Sequence, residues 1–285
     1  MTLEVCCGNL ESVHAAVNGG AQRIELCSAL EVEGLTPSWD VLQQARKLYP
    51  SLIIHVLIRS RAGNFCYSPE EVSQMAAQIE KALELGADGI VVGALTARGE
   101  VDVPTMQTWT GIVDDWLLAK GFEAAGCHSC MDAYYFQGMV KRPSVTFHRA
   151  FDACKDPFRA LEDIIGLGCS RVLTSGQAAT ALEGTPLLKE LRLRADGRIG
   201  ILPGGGITPD NARAILDATG CTELHASASV LQPDGRKITS AALVAAILAV
   251  RPWFSAQNVD RPGKKAVPST NWGSKRGRND ERAQS

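Results

Sequence analysis

Three observations read this chain as an α/β protein folded into a closed (β/α)8 barrel of parallel strands. Eight short β-branched or apolar runs alternate with stretches of helical periodicity. A glycine stop recurs just before strands, as in Gly20-Ala21-Gln22-Arg23-Ile24, Gly86-Ala87-Asp88-Gly89-Ile90, Gly168-Cys169-Ser170-Arg171-Val172 and Gly220-Cys221-Thr222-Glu223-Leu224. Glycine there supplies the left-handed residue that closes a helix before the turn into a strand. Strands separated by helices must pair in parallel, and 285 residues suit a barrel of eight such units. An open doubly wound sheet is the alternative, and would bury its strands on both faces with a ligand crevice at one switch point.

In chain order the expected strands are Leu3 to Cys6, Arg23 to Cys27, Ile53 to Ile58, Gly89 to Leu95, Ser144 to His148, Arg171 to Thr174, Ile199 to Pro203 and Glu223 to Ala226. A plausible helix follows each. The clearest runs from Pro69 to Leu85, where Val72, Met75, Ala76, Ile79, Ala82 and Leu83 share one face. Pro203-Gly204-Gly205-Gly206-Ile207-Thr208 leads into a helix from Pro209 to Thr219, capped by Thr208 or Asp210. The apolar run from Ala241 to Val250 is too short to span a bilayer.

Charge divides the chain into a body, residues 1–250, and a tail, residues 251–285. The tail holds eight Lys and Arg against three Asp and Glu, so the overall net charge of −2 leaves about −7 on the body. An acidic body argues against nucleic-acid binding. The basic, Pro- and Gly-containing tail reads as disordered. Nine cysteines are thinly spread and no secretory leader precedes the first strand, so the expectation is a cytoplasmic protein with reduced thiols and no membrane partner.

Polar residues gather where the strands end, which in such a barrel is where a site is built. The word Leu3-Glu4-Val5-Cys6 returns as Ile24-Glu25-Leu26-Cys27, each placing a carboxylate and a thiol on one face of a strand. If the two strands are neighbours, they hold two thiols and two carboxylates together. Glu4 and Glu25 read either as members of a site or as partners of Arg59, Arg61 or Arg149 in the barrel mouth. Cys7, Cys169 and Cys221 read as small core hydrophobes. His148, Arg149 and Asp152 form a second patch of candidate catalytic groups, although strict alternation would point His148 and Arg149 opposite ways. Gly204, Gly205 and Gly206, with Arg59, Arg61 and the turn at Thr174-Ser175-Gly176, form a candidate anion site beside a helix N-terminus. His225 and Ser227 end the last strand.

Ile24-Glu25-Leu26-Cys27, Gly34-Leu35-Thr36-Pro37-Ser38, Arg59-Ser60-Arg61-Ala62-Gly63-Asn64-Phe65-Cys66-Tyr67-Ser68, the His148 segment and Arg171 to Gly176 together resemble the CutC copper homeostasis family. The resemblance runs from about Leu3 to Ser227. It implies a single cytosolic barrel that handles Cu(I), with copper thiols at Cys6 and Cys27. Soft thiolates suit Cu(I), and adjacent strands lie only about 4.8 Å apart. The sequence departs from the family in three places. An insertion spans about 117–143 and carries Cys127-His128-Ser129-Cys130, a weak metal-like spacing read as an exposed loop. Ser229 to Ile238 replaces a longer family segment after the eighth strand, and the basic tail follows.

The resulting expectation is a barrel over residues 1–250 that binds Cu(I) through Cys6 and Cys27, with a homo-oligomer possible in principle. The rival is a barrel enzyme acting on a small anionic or phosphorylated substrate, with His148 as acid or base. A bare interaction scaffold fits poorly, because it needs no such polarity at its strand ends.

Overall fold

In the computed structural model of the chain, residues 1–125, 141–233 and 235–250 are described below. Eight strands form one parallel sheet: β1 (Thr2–Cys7), β2 (Arg23–Leu26), β3 (Ile53–Leu57), β4 (Gly89–Val92), β5 (Ser144–Phe147), β6 (Arg171–Thr174), β7 (Gly200–Pro203) and β8 (Glu223–Ala226). Each pairs with the next in sequence from β1 to β7, and β8 pairs with β1. A parallel bridge between Gly204 and His225 joins β7 to β8, closing the ring. The fold is therefore the expected barrel, and the open sheet is excluded.

Helices α1 (Leu10–Asn18), α2 (Trp39–Leu48), α3 (Pro69–Glu84), α4 (Val103–Ala125), α5 (Pro157–Gly166), α6 (Thr185–Ala195), α7 (Pro209–Thr219) and α8 (Ala241–Leu248) complete the α/β alternation. Their starts follow local chemistry. Ser68 and Glu71 cap α3 reciprocally, and Thr208 and Asn211 do the same for α7, so the cap is Thr208 and not Asp210. The four glycine stops adopt the left-handed region, with φ of 93° at Gly20, 88° at Gly86, 70° at Gly168 and 69° at Gly220.

Side chains alternate along each strand. Leu3, Val5, Ile24, Leu26, Ile54, Val56, Ile90, Val145, Phe147, Val172 and Leu224 belong to one continuous apolar cluster with the buried residues of the helices. That cluster also takes in Cys7, Cys169 and Cys221, as expected of small core hydrophobes. The alternate positions point into the barrel. Among the described residues a small apolar cluster of Cys6, Cys27, Leu57 and Val91 forms there, and much of the remaining interior is charged.

Two features depart from the sequence reading. β8 is followed not by a helix but by an antiparallel hairpin, β9 (Ser229–Leu231) with β10 (Lys237–Thr239), before α8. Three-residue strands around a polar turn give too short an alternation to register as strands in sequence. α4 continues through Ala125, so the first part of the expected insertion is helix, while Cys127, Cys130 and residues 251–285 lie outside the described residues.

Candidate metal and anion site in the barrel mouth

The two Glu-x-Cys words lie on neighbouring parallel strands, but slipped by two residues: Glu4 is beside Arg23, and Cys6 is beside Glu25. Cys27 follows the end of β2, where its N–H donates to the Cys7 carbonyl at 3.0 Å. The slip sets the thiols diagonally, with Cys6 Sγ 3.5 Å from Cys27 Sγ. A disulfide would require about 2 Å, so these are two free thiols in contact. Cys6, Cys27 and Glu25 each bring a ligand atom within 4.8 Å of the others, all buried.

Below them the same slip assembles a charge network. Glu4, wholly buried, accepts from His55 Nδ1 and from His225 Nδ1, both at 2.9 Å. Arg23 Nε lies 2.8 Å from the same carboxylate, as an ion pair without hydrogen-bond alignment. The expected partners Arg59, Arg61 and Arg149 are not those of Glu4: register brings Arg23 and His225 to it instead. Burial opposes the Glu4 charge, but hydrogen bonds and charge from His225 and His55 overcome it and hold the carboxyl well below its ordinary range. Gly89 makes room for His55, since a Cβ there would stand 2.8 Å from the imidazole.

His225 spans the two carboxylates, with its Nε2 3.7 Å from Glu25 Oε2. Burial works against the imidazolium, yet Glu25, Cys6 and Glu4 raise its pKa well above the usual value. Burial, reinforced by Glu4, raises Glu25 despite His225 and Cys6. Contact with Cys27, burial and the Glu25 charge push the Cys6 thiol well up, against the pull of His225. At Cys27 the Cys6 contact lowers the pKa, but burial, Glu25 and Cys7 together raise it. Both shifts favour the protonated thiol at neutral pH.

Above Cys6 opens a cavity of about 240 Å³, whose lining includes Glu25, His225, Arg59, Phe65, His148, Arg149, Gly205 and Gly206. His148 and Arg149 both reach it because β5 ends at Phe147 and a 3-10 turn (Arg149–Ala153) begins at once. Strict alternation does not apply past the strand end. His148 Nδ1 accepts the Ala150 N–H at 3.1 Å, which places the ring proton on Nε2. Burial, with the Arg59 charge adding, lowers its pKa to about 3. His148 is thus held neutral in the fold, with its proton on Nε2. Gly93 permits its position, since a Cβ there would come within 2.6 Å of the ring.

The other candidates separate clearly. Arg59 gives hydrogen bonds to the carbonyls of Val32, Gly34 and Gly63 at 3.0 to 3.1 Å and lies over the Phe65 ring. Arg61 turns away from the cavity to Glu71 at 2.5 Å and to the Asn64 and Cys66 carbonyls. Asp152 accepts from Arg149, from Thr174 and Ser175 and from the Gln177 N–H, so it fixes the β6 turn and aims Arg149. Ser175 is fully buried in that turn. Gly204 closes the ring against His225, while Gly205 and Gly206 face the cavity.

Sequence reasoning did not single out Arg23, His55 or Glu223, nor Arg171 as an interior residue. Their signal was polar alternation at i and i+2, as in Arg23-x-Glu25 and Glu223-x-His225, which puts both groups inside the barrel. Phe65 comes from the loop after β3, which periodicity does not place.

Comparison with known proteins agrees with this architecture. The model of the CutC family matches residues 1–126 and 136–230. A CutC family protein of Bacteroides thetaiotaomicron is 47% identical over 225 residues, 79% of this chain and 80% of that protein. One from Pasteurella multocida is 44% identical over 227 residues, 80% of this chain and 82% of its own length. A solved Streptococcus agalactiae structure, described provisionally as the copper homeostasis protein CutC, superposes with a TM-score of 0.67 at 28% identity, covering 80% of this chain and 98% of that one. The 3-keto-L-gulonate-6-phosphate decarboxylase of Vibrio cholerae shares the fold alone, at 13% identity and a TM-score of 0.51 over 88% of this chain and 98% of that one. With its motifs, its barrel and its relatives in agreement, this chain belongs to the CutC family.

Proposed function

We propose that this protein serves copper homeostasis by binding Cu(I) through Cys6 and Cys27. The observation that carries the reading is the contact of two free, buried thiols at 3.5 Å at the strand ends of the barrel. Sulfur donors select Cu(I), which accepts few ligands, whereas zinc in a structural site asks for four. The buried Glu25 carboxylate has an oxygen within 4.8 Å of both sulfurs. The copper description of the Streptococcus agalactiae relative supports the same reading.

Both thiols must lose their protons on binding, and His225 and Glu25 stand beside Cys6 where they can take part in that exchange. A reducing, cytoplasmic setting would keep the pair from oxidising. Among the described residues no helix is long and apolar enough to cross a membrane.

The test is a competitive Cu(I) titration under reducing conditions on the whole chain and on the Cys6→Ser, Cys27→Ser double variant. One copper per chain, lost in the variant with the barrel still folded, is the expected result. Unchanged stoichiometry in the variant overturns the reading, and loss confined to a Cys127→Ser, Cys130→Ser variant moves the site.

A further inference from the structure

The cavity above the thiols carries positive charge that the protein itself does not neutralise. Arg59 is only 4% exposed, yet no carboxylate among the described residues forms an ion pair with it. It donates to three neutral carbonyls and stands beside the Tyr67 hydroxyl, and its Nε makes no hydrogen bond. A buried guanidinium without a counter-charge is costly, and such groups persist where a ligand supplies the missing charge. His148, 5% exposed on the same cavity, presents a second buried N–H with no partner at Nε2.

Two further features face the same space. Arg149 is aimed by Asp152 at 2.9 Å and by Ser175 Oγ at 3.3 Å, its guanidinium remaining partly exposed. Gly205 and Gly206, with φ of 107° and 73°, form the turn into α7, an 11-residue helix whose N-terminus carries partial positive charge. A Cβ on Gly205 would stand 3.2 Å from Ser175 Cβ and 3.8 Å from the Arg149 guanidinium carbon, so only glycine lets this loop close on that arginine. Leu30, Leu57, Leu173 and Ile207 give the cavity an apolar wall, and its floor is Cys6 with Glu25 and His225, which pair with each other. Glu33 stands at the exposed rim.

We infer that this cavity is a binding site for a small organic oxyanion, a phosphate or carboxylate on a compact apolar body, held by Arg59, Arg149 and His148. The oxyanion supplies the counter-charge that Arg59 lacks and pairs with the partly exposed Arg149 guanidinium, with His148 on the same wall, while the body lies against the leucines. At about 240 Å³ the cavity is of a size to take a small metabolite. The cavity shares Cys6 and Glu25 with the thiol site, but none of the three proposed donors is a sulfur ligand.

Calorimetric titration of the full chain with n-butyl phosphate and, separately, with butyrate tests it. Saturable binding of one molecule per chain is expected for at least one probe, and the preferred probe distinguishes phosphate from carboxylate. Arg59→Gln, Arg149→Gln and His148→Gln should each weaken that binding by about tenfold or more, the usual loss of a hydrogen bond to a charged group. If Arg59→Gln does not fold, the Arg149 and His148 variants decide. No saturable binding of either probe at millimolar concentration overturns the inference, as does binding that the folded variants leave within about twofold of the wild type. Cu(I) loading of the wild type reports on the thiols alone, so failure there leaves this result standing.

Discussion

The two ends of the barrel are both lined with charge, yet they differ in how completely that charge is satisfied. At the N-terminal end Glu223 accepts from Arg23 Nη2 at 2.6 Å and from Arg171 Nε at 2.8 Å, and Arg171 reaches Ser144 Oγ at 2.5 Å. Glu4, one level up, is shared by Arg23, His55 and His225. At the C-terminal end two thiols touch, Arg59 has no counter-charge and His148 has an idle donor. Polarity inside a barrel therefore does not by itself mark a site. Saturated groups hold the fold together, and unsaturated ones in an open cavity are what a ligand completes.

The largest expected effect comes from breaking the saturated end. Glu4→Gln leaves the buried Arg23 charge without its inner partner and should lower stability by about 3–5 kcal/mol in urea unfolding at neutral pH. A loss below about 1 kcal/mol would show that the network does not carry the interior.

Next is a pH effect that belongs to the mouth. An unfolded histidine takes up a proton near 6.5, whereas His148 in the fold does so only near 3. Between those values the unfolded state binds more protons, so stability falls as pH falls, by up to about 1.4 kcal/mol per unit. From pH 7 to pH 5 the wild type should lose stability more steeply than His148→Gln, with the difference read from urea midpoints. Equal slopes would mean that His148 is not held neutral. The depressed Glu4 carboxyl adds an acid-side loss of the same sign only at lower pH, where unfolded carboxylates protonate.

A smaller effect is expected at Gly205, whose φ of 107° suits no other residue. Gly205→Ala should cost about 1 kcal/mol or somewhat more in thermal or urea unfolding and displace the loop from Arg149. The smallest belongs to Arg61, whose side chain is 34% exposed and pairs with Glu71 away from the cavity. Arg61→Ala should change stability by less than about 1 kcal/mol and leave Cu(I) stoichiometry intact. A loss of copper in that variant would put Arg61 at the thiol site, against its pairing with Glu71 away from the cavity.

The barrel was legible because each of its eight strands is a short β-branched or apolar run, and helix stops such as Gly86 and Gly220 sit at fixed offsets before them. The thiol pair was legible because Glu-x-Cys occurs at two strand ends. What sequence could not supply was register. A slip of two residues between β1 and β2 sets Glu4 beside Arg23, and the β1–β8 register sets it beside His225, so Glu4 is spent away from Arg59. Nor could spacing tell Arg59 from Arg61: they lie two apart, but the first is sequestered by loop carbonyls and the second by a helix cap residue. The charged lower end escaped notice because Arg23, Arg171 and Glu223 open their strands, where polar residues usually signal the turn before.

Copper K-edge X-ray absorption of the Cu(I)-loaded chain, prepared under reducing conditions, tests the thiol site most directly. Two sulfur neighbours around copper, absent after Cys6→Ser and Cys27→Ser, are the predicted result. A first shell of nitrogen and oxygen alone, or a sulfur shell that survives the double substitution, would contradict it.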